Sequence, residues 1–406
     1  MIKALRGMKD FLEDDAKVYE YCIQTCKKIA QNYGFSFIKT PILEETALFK
    51  RSVGESSDIV GKEMYQFIDK GGNDVCLRPE GTAGVVRAFI EAKLDKSLAN
   101  HRFFYYGNMY RYERPQRGRL RQFHQFGVES FGLDDVREDA SIILLANEIL
   151  DAFGIKSSLK LNSIGCPKCM PSYKKKLVKI LDKKEGLCTD CQRRKDTNPI
   201  RVFDCKNSSC QNLLKQTPRL LDDLCETCKE DFEDLKYLLK ECEVEFEIDT
   251  NLVRGLDYYS KTAFEFVSDE LGAQGTLIGG GRYDKLVEYL GGKPTPGIGF
   301  AMGIERIMEL VRSQKSNRQG FYLGALDEDA KIKLFKLARM KRKGQRVYLD
   351  YQTRSLKAHL KQADKKNALY FGCMGEDELK HDTIWIKNLE TKEEKVLHVK
   401  DFGQME

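Results

Sequence analysis

The chain has 406 residues, of which 41% are hydrophobic and 32% charged, with a formal net charge of +6. This length exceeds what one hydrophobic core serves and predicts two or three domains. The balance excludes a disordered chain, and no run approaches the roughly 18 consecutive apolar residues of a membrane span.

The opening MIKALRGMKDF lacks the apolar core of a secretory signal, so a cytoplasmic chain is expected. Residues 9–33 carry Val18, Cys22, Ile23, Cys26 and Ile29 at helical spacing and stop at Gly34. Next, 35-FSFIKTPI-42 reads as a strand, 77-LRPEGT-82 as a loop and 84-GVVRAFIEAKL-94 as a helix. The stretch 109-MYRYERPQRGRLRQFHQFGVE-129 reads as two strands joined by an exposed turn, with Phe103, Tyr105 and Gly107 sharing one side and Phe123, Gln125 and Gly127 another. An amphipathic helix over 137–155 closes at Gly154, and between about 161 and 244 cysteines and lysines take over. Strand character returns at 252-LVRGLDYYSKTAFEFV-267, and 273–292 and 299–311 each read as a strand running into a helix. The polar stretch 312–320 is a linker. Beyond it, strands at 321–324, 347–351, 369–373 and 383–387 alternate with helices at 328–341 and 355–365, which predicts a small α/β domain with a partly parallel sheet. From Arg318 onward there are 19 Lys and Arg against 14 Asp and Glu, a mild bias towards nucleic acid.

Thirteen cysteines in a cytosolic chain remain thiols. Eight of them form 166-CPKC-169, 188-CTDC-191, 205-CKNSSC-210 and 225-CETC-228, a spacing suited to tetrahedral metal sites. Structural zinc, one or two ions on Cys166, Cys169, Cys188, Cys191, Cys205, Cys210, Cys225 and Cys228, is the expectation; which pairs share a site stays open. Redox chemistry is a weaker alternative, because no pair reads as standing at a helix start after a strand. Cys22, Cys26, Cys76, Cys242 and Cys373 read as helix, core or strand positions.

Four segments put charged or polar groups into strands that otherwise look buried. They are Arg78 and Glu80 in LRPEGT, Arg111 and Glu113 in YRYE, Gln125 and Glu129 in HQFGVE, and Arg254 and Asp257 in LVRGLDYY. Singly, such a residue is ordinarily half of a structural ion pair. Together, and with Arg306 in GIER, they predict one pocket: a triphosphate accounts for the arginines, and an amino acid with a basic side chain accounts for the carboxylates. The glycines of 279-GGGRYD-284 lack the Lys and Ser/Thr of a phosphate loop and instead let backbone pass close to a ligand. Of the five histidines only His124 falls in a motif, and none reads as catalytic.

These motifs resemble the histidyl-tRNA synthetase family over almost the whole chain. YRYERPQRGRLRQFHQFGVE is similar to motif 2 of class II aminoacyl-tRNA synthetases, GFAMGIERI to motif 3, and GFSFIKTPILEE to motif 1, the dimer-forming helix and strand. LVRGLDYYSKTAFEF and GGGRYDKL resemble the two signatures peculiar to the histidine enzymes, and LRPEGTAGVVRAF their amino-acid-binding loop. SLKAHLKQADKKNALYFGCMGEDEL resembles their anticodon-binding domain, with Arg354 and Glu376 in matching stretches, although 321–334 is shorter than the family pattern. The resemblance implies an α/β (α+β) fold. Its catalytic domain, residues 1–160 and 245–315, is built on an antiparallel sheet. A Cys-rich insertion at 161–244 and a small α/β anticodon-binding domain at 321–406 complete it.

It further implies a cytoplasmic homodimer acting on ATP with Mg²⁺, L-histidine and tRNA(His). Arg111 and Arg254 would be catalytic, at the α-phosphate and substrate carboxylate. Phe123 would stack on adenine, with Glu113, Arg121 and Arg306 also on ATP. Glu80, Thr82 and Gln125 would fix the α-ammonium, with Gly81 also at the histidine site; Glu129 and Tyr259 would hold the two imidazole nitrogens, and Tyr258 would lie nearby. The loop arginines Arg114, Arg117, Arg119 and Arg121 would face the tRNA acceptor end or the outer phosphates. The zinc expectation rests on spacing alone. Two alternatives stand beside this reading: a synthetase-like regulatory subunit of ATP phosphoribosyltransferase, and another class II synthetase.

Overall fold

The computed structural model describes residues 2–54, 57, 59–116, 118–253, 258–311 and 318–403. The chain divides into two compact units, Met1–Ser313 and Gln314–Glu406. In the first unit the strands are β1 (Ser36–Phe37), β2 (Leu43–Glu45), β3 (Tyr65–Ile68), β4 (Asp74–Leu77), β5 (His101–Tyr110), β6 (Gln122–Phe131), β7 (Ser158–Ser163), β8 (Glu247–Ile248), β9 (Ser260–Val267), β10 (Thr276–Arg282) and β11 (Gly297–Gly303). Among the described residues eight of these form one sheet in the order β1-β5-β6-β11-β10-β9-β7-β8, and three a small sheet, β2-β4-β3. The pairs from β5 across to β7 are antiparallel, and the outermost pairs, β1–β5 and β7–β8, are parallel.

The helices of this unit are α1 (Glu13–Asn32), α2 (Thr46–Val53), α3 (Thr82–Glu91), α4 (Val136–Ala152), α5 (Met170–Leu181), α6 (Thr189–Thr197), α7 (Ser208–Leu214), α8 (Glu226–Glu241), α9 (Leu286–Tyr289) and α10 (Ile304–Val311). The period-2 alternation of β6 divides its side chains between two environments. Phe126 and Val128 join Cys22, Cys26, Ile143, Leu235 and Ile307 from α1, α4, α8 and α10 in one core. Phe123 and Phe131 join Val86, Phe89, Tyr105 and Tyr283 under α3 and α9 in another. Burying each Phe or Leu of this kind stabilises the fold by about 1.5–3 kcal/mol. Gln125 and Glu129 therefore point, with Phe123, to the face that α3 caps. Between β7 and β8 the chain leaves the sheet, and α5–α8 build a third core around Tyr173, Leu177, Val202 and five of the clustered cysteines, with the other three packed against it.

In the second unit β12 (Phe321–Ala325), β13 (Val347–Leu349), β14 (Tyr370–Met374), β15 (Thr383–Asn388) and β16 (Glu394–His398) form a sheet in the order β13-β12-β14-β15-β16. It is parallel around β12 and antiparallel from β14 onward, the mixed sheet expected. Its helices are α11 (Ala330–Lys341), α12 (Leu356–Lys365), α13 (Glu376–His381) and α14 (Val399–Phe402).

The differences from the sequence reading have physical causes. The strand expected over 35–42 pairs only at Ser36–Phe37, with Ile38 N–H still donating to Phe104 O (2.9 Å) before Pro41, which has no donor. The edge strand β16 is exposed at four of five positions and so shows no apolar alternation. Residues 254–257 and 312–317, within the expected strand and the linker, lie outside the described residues. Cys22, Cys26, Cys76 and Cys373 are buried, whereas Cys242 follows α8 and is exposed.

Among the described residues, Arg282 is the largest fully buried side chain. Its Nε donates to Asp139 (2.7 Å), and its other nitrogens donate to the carbonyls of Leu133 and Asp135 (3.0 Å each). Thr262 Oγ1 donates to the same carboxylate at 2.6 Å. Removing one partner of such a pair strands a buried charge. Arg282→Ala should therefore cost about 3–5 kcal/mol in urea unfolding; a midpoint near that of the parent would show the pair to be dispensable.

Candidate active site

A cleft of about 230 Å³ opens at the base of the β5–β6 hairpin. Its outer half is cationic. Arg111 Nε donates to Pro79 O (2.9 Å), and its guanidinium lies 5.2 Å from the centroid of Phe123. Gln116 and Arg119 exchange backbone hydrogen bonds of 3.0 and 2.9 Å, and Gly118 adopts φ +70° beside them, a conformation suited to glycine. This tight turn folds Arg119 back onto Glu113 (3.0 Å). Arg306, at the start of α10, donates from Nε to Gly118 O (3.2 Å) and also to Thr276 O. Burial first, then the positive charges of Arg119 and Arg111, pull Arg306 below its ordinary basicity, against Glu113. Three guanidinium groups thus gather around Glu113 in this half of the cleft, an arrangement that an anion would relax.

The inner half is built around carboxylates. Glu80 precedes α3 and accepts from Thr82 N (2.7 Å) and Ala83 N (2.9 Å), which satisfies two of the orphan N–H groups of the helix start. Glu129 is 1% exposed. It accepts from Thr82 Oγ1 at 2.7 Å and from the Tyr283 hydroxyl. Burial pushes its pKa up to about 8, opposed mainly by these two hydroxyls. Space for it is made by glycine: a Cβ on Gly299 would lie 2.1 Å from Glu129 Oε2. Tyr105 likewise sits between Gly81 and Gly127, whose Cβ atoms would approach its ring to 2.1 and 2.4 Å. Tyr105 Oη and Gln125 Oε1 are buried and have no hydrogen-bond partner among the described residues. The rings of Tyr258 and Tyr259 stand 4.7 Å apart beside them.

The fold thus gathers most of the residues singled out in the sequence. Glu80, Thr82, Arg111, Glu113, Phe123, Gln125, Tyr258, Tyr259 and Arg306 all line the cleft. Glu129 lies beneath it and reaches it through Thr82, and Gly81 shapes it through Tyr105. Arg121 turns aside: its Nε donates to Glu113 O (3.2 Å) and its guanidinium stacks 3.8 Å from the Tyr112 ring, bracing the hairpin base. Arg119 takes the place in the cleft that the sequence left unassigned among the loop arginines. Arg117, Arg254 and Asp257 lie outside the described residues. Arg78 is structural, donating to Asn108 O and to Thr40. His124 is too, bonded through its N and Nδ1 to Glu305. Sequence reasoning missed Tyr105 and Tyr283. The signal was present in the second case, in 279-GGGRYD-284, where the glycines alone drew notice. Of these, Gly279 lines the cleft, whereas Gly280 is squeezed between Gly299 O and Phe264 in the sheet.

The eight clustered cysteines resolve into two groups: Cys166, Cys169, Cys225 and Cys228, and Cys188, Cys191, Cys205 and Cys210. Within each, all four sulfurs lie within 4.8 Å of one another, so each group could hold a metal ion. The groups are nested, the second within the loop closed by the first. Sγ–Sγ distances are 3.7 Å for Cys166–Cys169, 3.9 Å for Cys166–Cys225 and 3.7 Å for Cys188–Cys205. A tetrahedron with metal–sulfur bonds of about 2.3 Å has edges of about 3.8 Å. Backbone N–H groups of Lys168, Cys225 and Cys188 donate to Cys166, Cys169 and Cys210 sulfurs. One expectation is corrected: 166-CPKC-169 does stand between a strand, β7, and a helix, α5. Its two sulfurs nevertheless meet a second pair from the start of α8, which a dithiol redox centre does not require.

A family model described as histidyl-tRNA synthetase matches residues 7–307, and one described as anticodon binding domain matches residues 330–405. The chain is 61% identical to a histidine–tRNA ligase of Sulfurimonas denitrificans over 398 residues, 98% of this chain and 99% of that one. It is 59% identical to a histidine–tRNA ligase of Campylobacter jejuni over the full length of both. Among solved structures, apo histidyl-tRNA synthetase of S. aureus superposes with a TM-score of 0.81 at 34% identity, covering 100% of this chain and 99% of that one.

Burial makes a prediction about pH. The folded chain holds the Glu129 proton to about pH 8, whereas an unfolded glutamate releases it at about 4.3. The stability that this group contributes is therefore complete below the lower value and lost as pH rises to the upper one. Glu129→Gln removes that dependence. The melting temperature of the variant relative to the parent should rise by about 4 °C or more between pH 5 and pH 8; a difference independent of pH would contradict burial as the cause.

Proposed function

The chain belongs to the histidyl-tRNA synthetase family, and on that premise we propose how its residues divide the work. The reaction is ATP-dependent ligation of L-histidine to its tRNA through a histidyl-adenylate, with release of pyrophosphate and AMP. A non-catalytic regulatory paralogue does not fit a chain similar to histidine–tRNA ligases from end to end.

Activation drives the histidine carboxylate onto the α-phosphorus, anion against anion. Arg111 and Arg254 hold the carboxylate and α-phosphate and stabilise the charge that develops on the equatorial oxygens. Planar guanidinium forks suit this better than ammonium groups because each engages two oxygens. Phe123 stacks on adenine, and Arg306, Arg119 and Glu113 order the remaining phosphates. Mg²⁺, carried in with ATP, would supply further neutralisation of phosphate charge. Glu80, Thr82 and Gln125 fix the α-ammonium. Glu129 and Tyr259 read the imidazole from its two nitrogens, since that ring offers one donor and one acceptor. An amino acid without such a ring leaves the imidazole's place beside Glu129 and Tyr259 unmatched, which is where selectivity arises. Positioning does most of the work, and no side chain need shuttle protons.

We further read the chain as a catalytic domain at 1–160 and 245–315, a Cys-rich insertion at 161–244 and an anticodon-binding domain at 321–406, working as a cytoplasmic homodimer. Exposed apolar side chains support the dimer: Phe37 on β1, Ile42 and Leu43 at β2, and Phe67 and Ile68 on β3. The described residues contain no helix long and apolar enough to cross a membrane. Arg114 and Arg117 face the acceptor end of tRNA(His). Each four-cysteine group holds one Zn²⁺ whose sites are filled by protein, so its role is structural.

The observation that carries this reading is the meeting of Arg111, Arg119 and Arg306 with the Glu80–Thr82–Glu129 network in one cleft. In histidine-dependent ATP–pyrophosphate exchange, Arg111→Ala and Arg254→Ala should each lose roughly 100-fold or more in rate with unchanged melting temperature; exchange within a few-fold of the parent would remove them from the chemistry. Elemental analysis of protein purified without chelators should give two zinc ions per chain, one per group; less than one would end the zinc reading.

A further inference from the structure

We propose that the outer cysteine group, Cys166, Cys169, Cys225 and Cys228, is a positioning element for the histidine-binding tyrosines, so that its metal occupancy sets histidine affinity. The inference rests on the zinc and histidine-site readings above.

Two mechanical links join that group to the start of β9. The first is backbone. Lys261 N–H donates to Gly165 O (2.7 Å), and Ile164 N–H donates to Lys261 O (2.8 Å). Gly165, with φ +65°, has its Cβ position only 2.8 Å from Cys169 Cβ and 3.4 Å from Cys169 Sγ. The peptide that anchors β9 therefore lies directly against a sulfur ligand. The second link is ionic. Lys261 Nζ pairs with Asp134 at 2.8 Å and with Asp231 at 3.4 Å, and Asp231 stands on α8 three residues beyond Cys228. Cys228, Asp231, Lys261, Thr262 and Arg282 line one polar cavity of about 20 Å³, room for about one water.

Lys261 itself adopts φ +49°. That left-handed conformation is unfavourable for a residue with a β-carbon and persists only where the surroundings impose it. Both links impose it here, and Tyr259, two residues earlier, packs on the buried cluster that holds Val253, Ala263 and cysteines of both groups, so the two links, not the packing, single out the outer group. The inner cysteine group is braced elsewhere, on α5 and the turn after it: Lys195 Nζ pairs with Asp182 at 2.7 Å, and Lys184 Nζ donates to Leu213 O at 2.6 Å. A metal that pins Cys166–Cys169 to Cys225–Cys228 fixes both links at once, and with them the place of Tyr258 and Tyr259.

The test measures zinc content together with KM for histidine and for ATP in pyrophosphate exchange. Cys225→Ser should lose one zinc and raise the histidine KM about tenfold, several times more than Cys188→Ser, while the ATP KM moves less than about threefold. Gly165→Ala, which keeps every thiolate, should retain its zinc and still raise the histidine KM by about as much. Lys261→Ala should do the same, and Lys261→Arg should restore the parent value. Equal histidine KM changes from Cys225→Ser and Cys188→Ser, or a parent-like KM in Gly165→Ala, would overturn the coupling. Absence of zinc from the parent would instead sink the metal reading, and Gly165→Ala would still decide the backbone link. Should Cys225→Ser fail to fold, the Gly165 and Lys261 variants decide it.

Discussion

A carboxylate buried on the face of an antiparallel sheet is the constraint around which the catalytic unit is arranged. Glu129 has almost no access to water, so the fold must supply hydrogen-bond donors and an unobstructed place for it. The donors are hydroxyls, Thr82 from the start of α3 and Tyr283 from the end of β10. The place is made by Gly299, directly across on β11 in the β6–β11 register. Glu80 fixes Thr82 by accepting the first N–H groups of its helix, so one carboxylate orients the hydroxyl that serves the other. The uncommitted buried atoms, Tyr105 Oη and Gln125 Oε1, face this network, and a bound polar ligand would satisfy them.

The cationic half of the cleft is the complement of that arrangement. Arg111 leaves β5, Arg119 arrives on a glycine turn, and Arg306 begins α10, so three separate stretches of chain deliver charge to one place. Burial first, and then their mutual repulsion, lower the basicity of Arg306. Such a site is strained towards its ligand before the ligand arrives, and fixed guanidinium groups need no reorganisation during the reaction. On the proposed reading, histidine and nucleotide lie side by side, with the reacting carboxylate and phosphorus at the seam between the two halves.

Much of this was legible in the sequence, for reasons that differ between regions. Charged residues set in otherwise apolar stretches announced Glu80, Arg111, Glu129 and Arg306, because burying a charge is expensive enough that chance rarely leaves four of them. The α1 stripe and the mixed sheet of the second unit followed from periodicity. What the residues could not reveal was pairing in space. Spacing pointed to metal at 166-CPKC-169 but could not say that it meets 225-CETC-228 rather than the nearer 188-CTDC-191. Tyr105 looked like one more strand aromatic, since nothing local distinguishes it; its importance comes from Gly81 and Gly127, which face it from either side. Arg121 looked equivalent to Arg119 along the chain, and the turn at Gly118 separates them.

The Cys-rich region brings the same principle to a different scale, with a small core closed by two nested four-cysteine groups and tied back to β9 through Lys261. The central claim, however, concerns the cleft. A crystal structure with a non-hydrolysable histidyl-adenylate analogue tests it most directly. The account predicts the phosphate mimic within hydrogen-bond distance of Arg111 and the imidazole within hydrogen-bond distance of Glu129. An analogue bound with its ring turned away from Glu129, or with its phosphate mimic remote from Arg111, would contradict it.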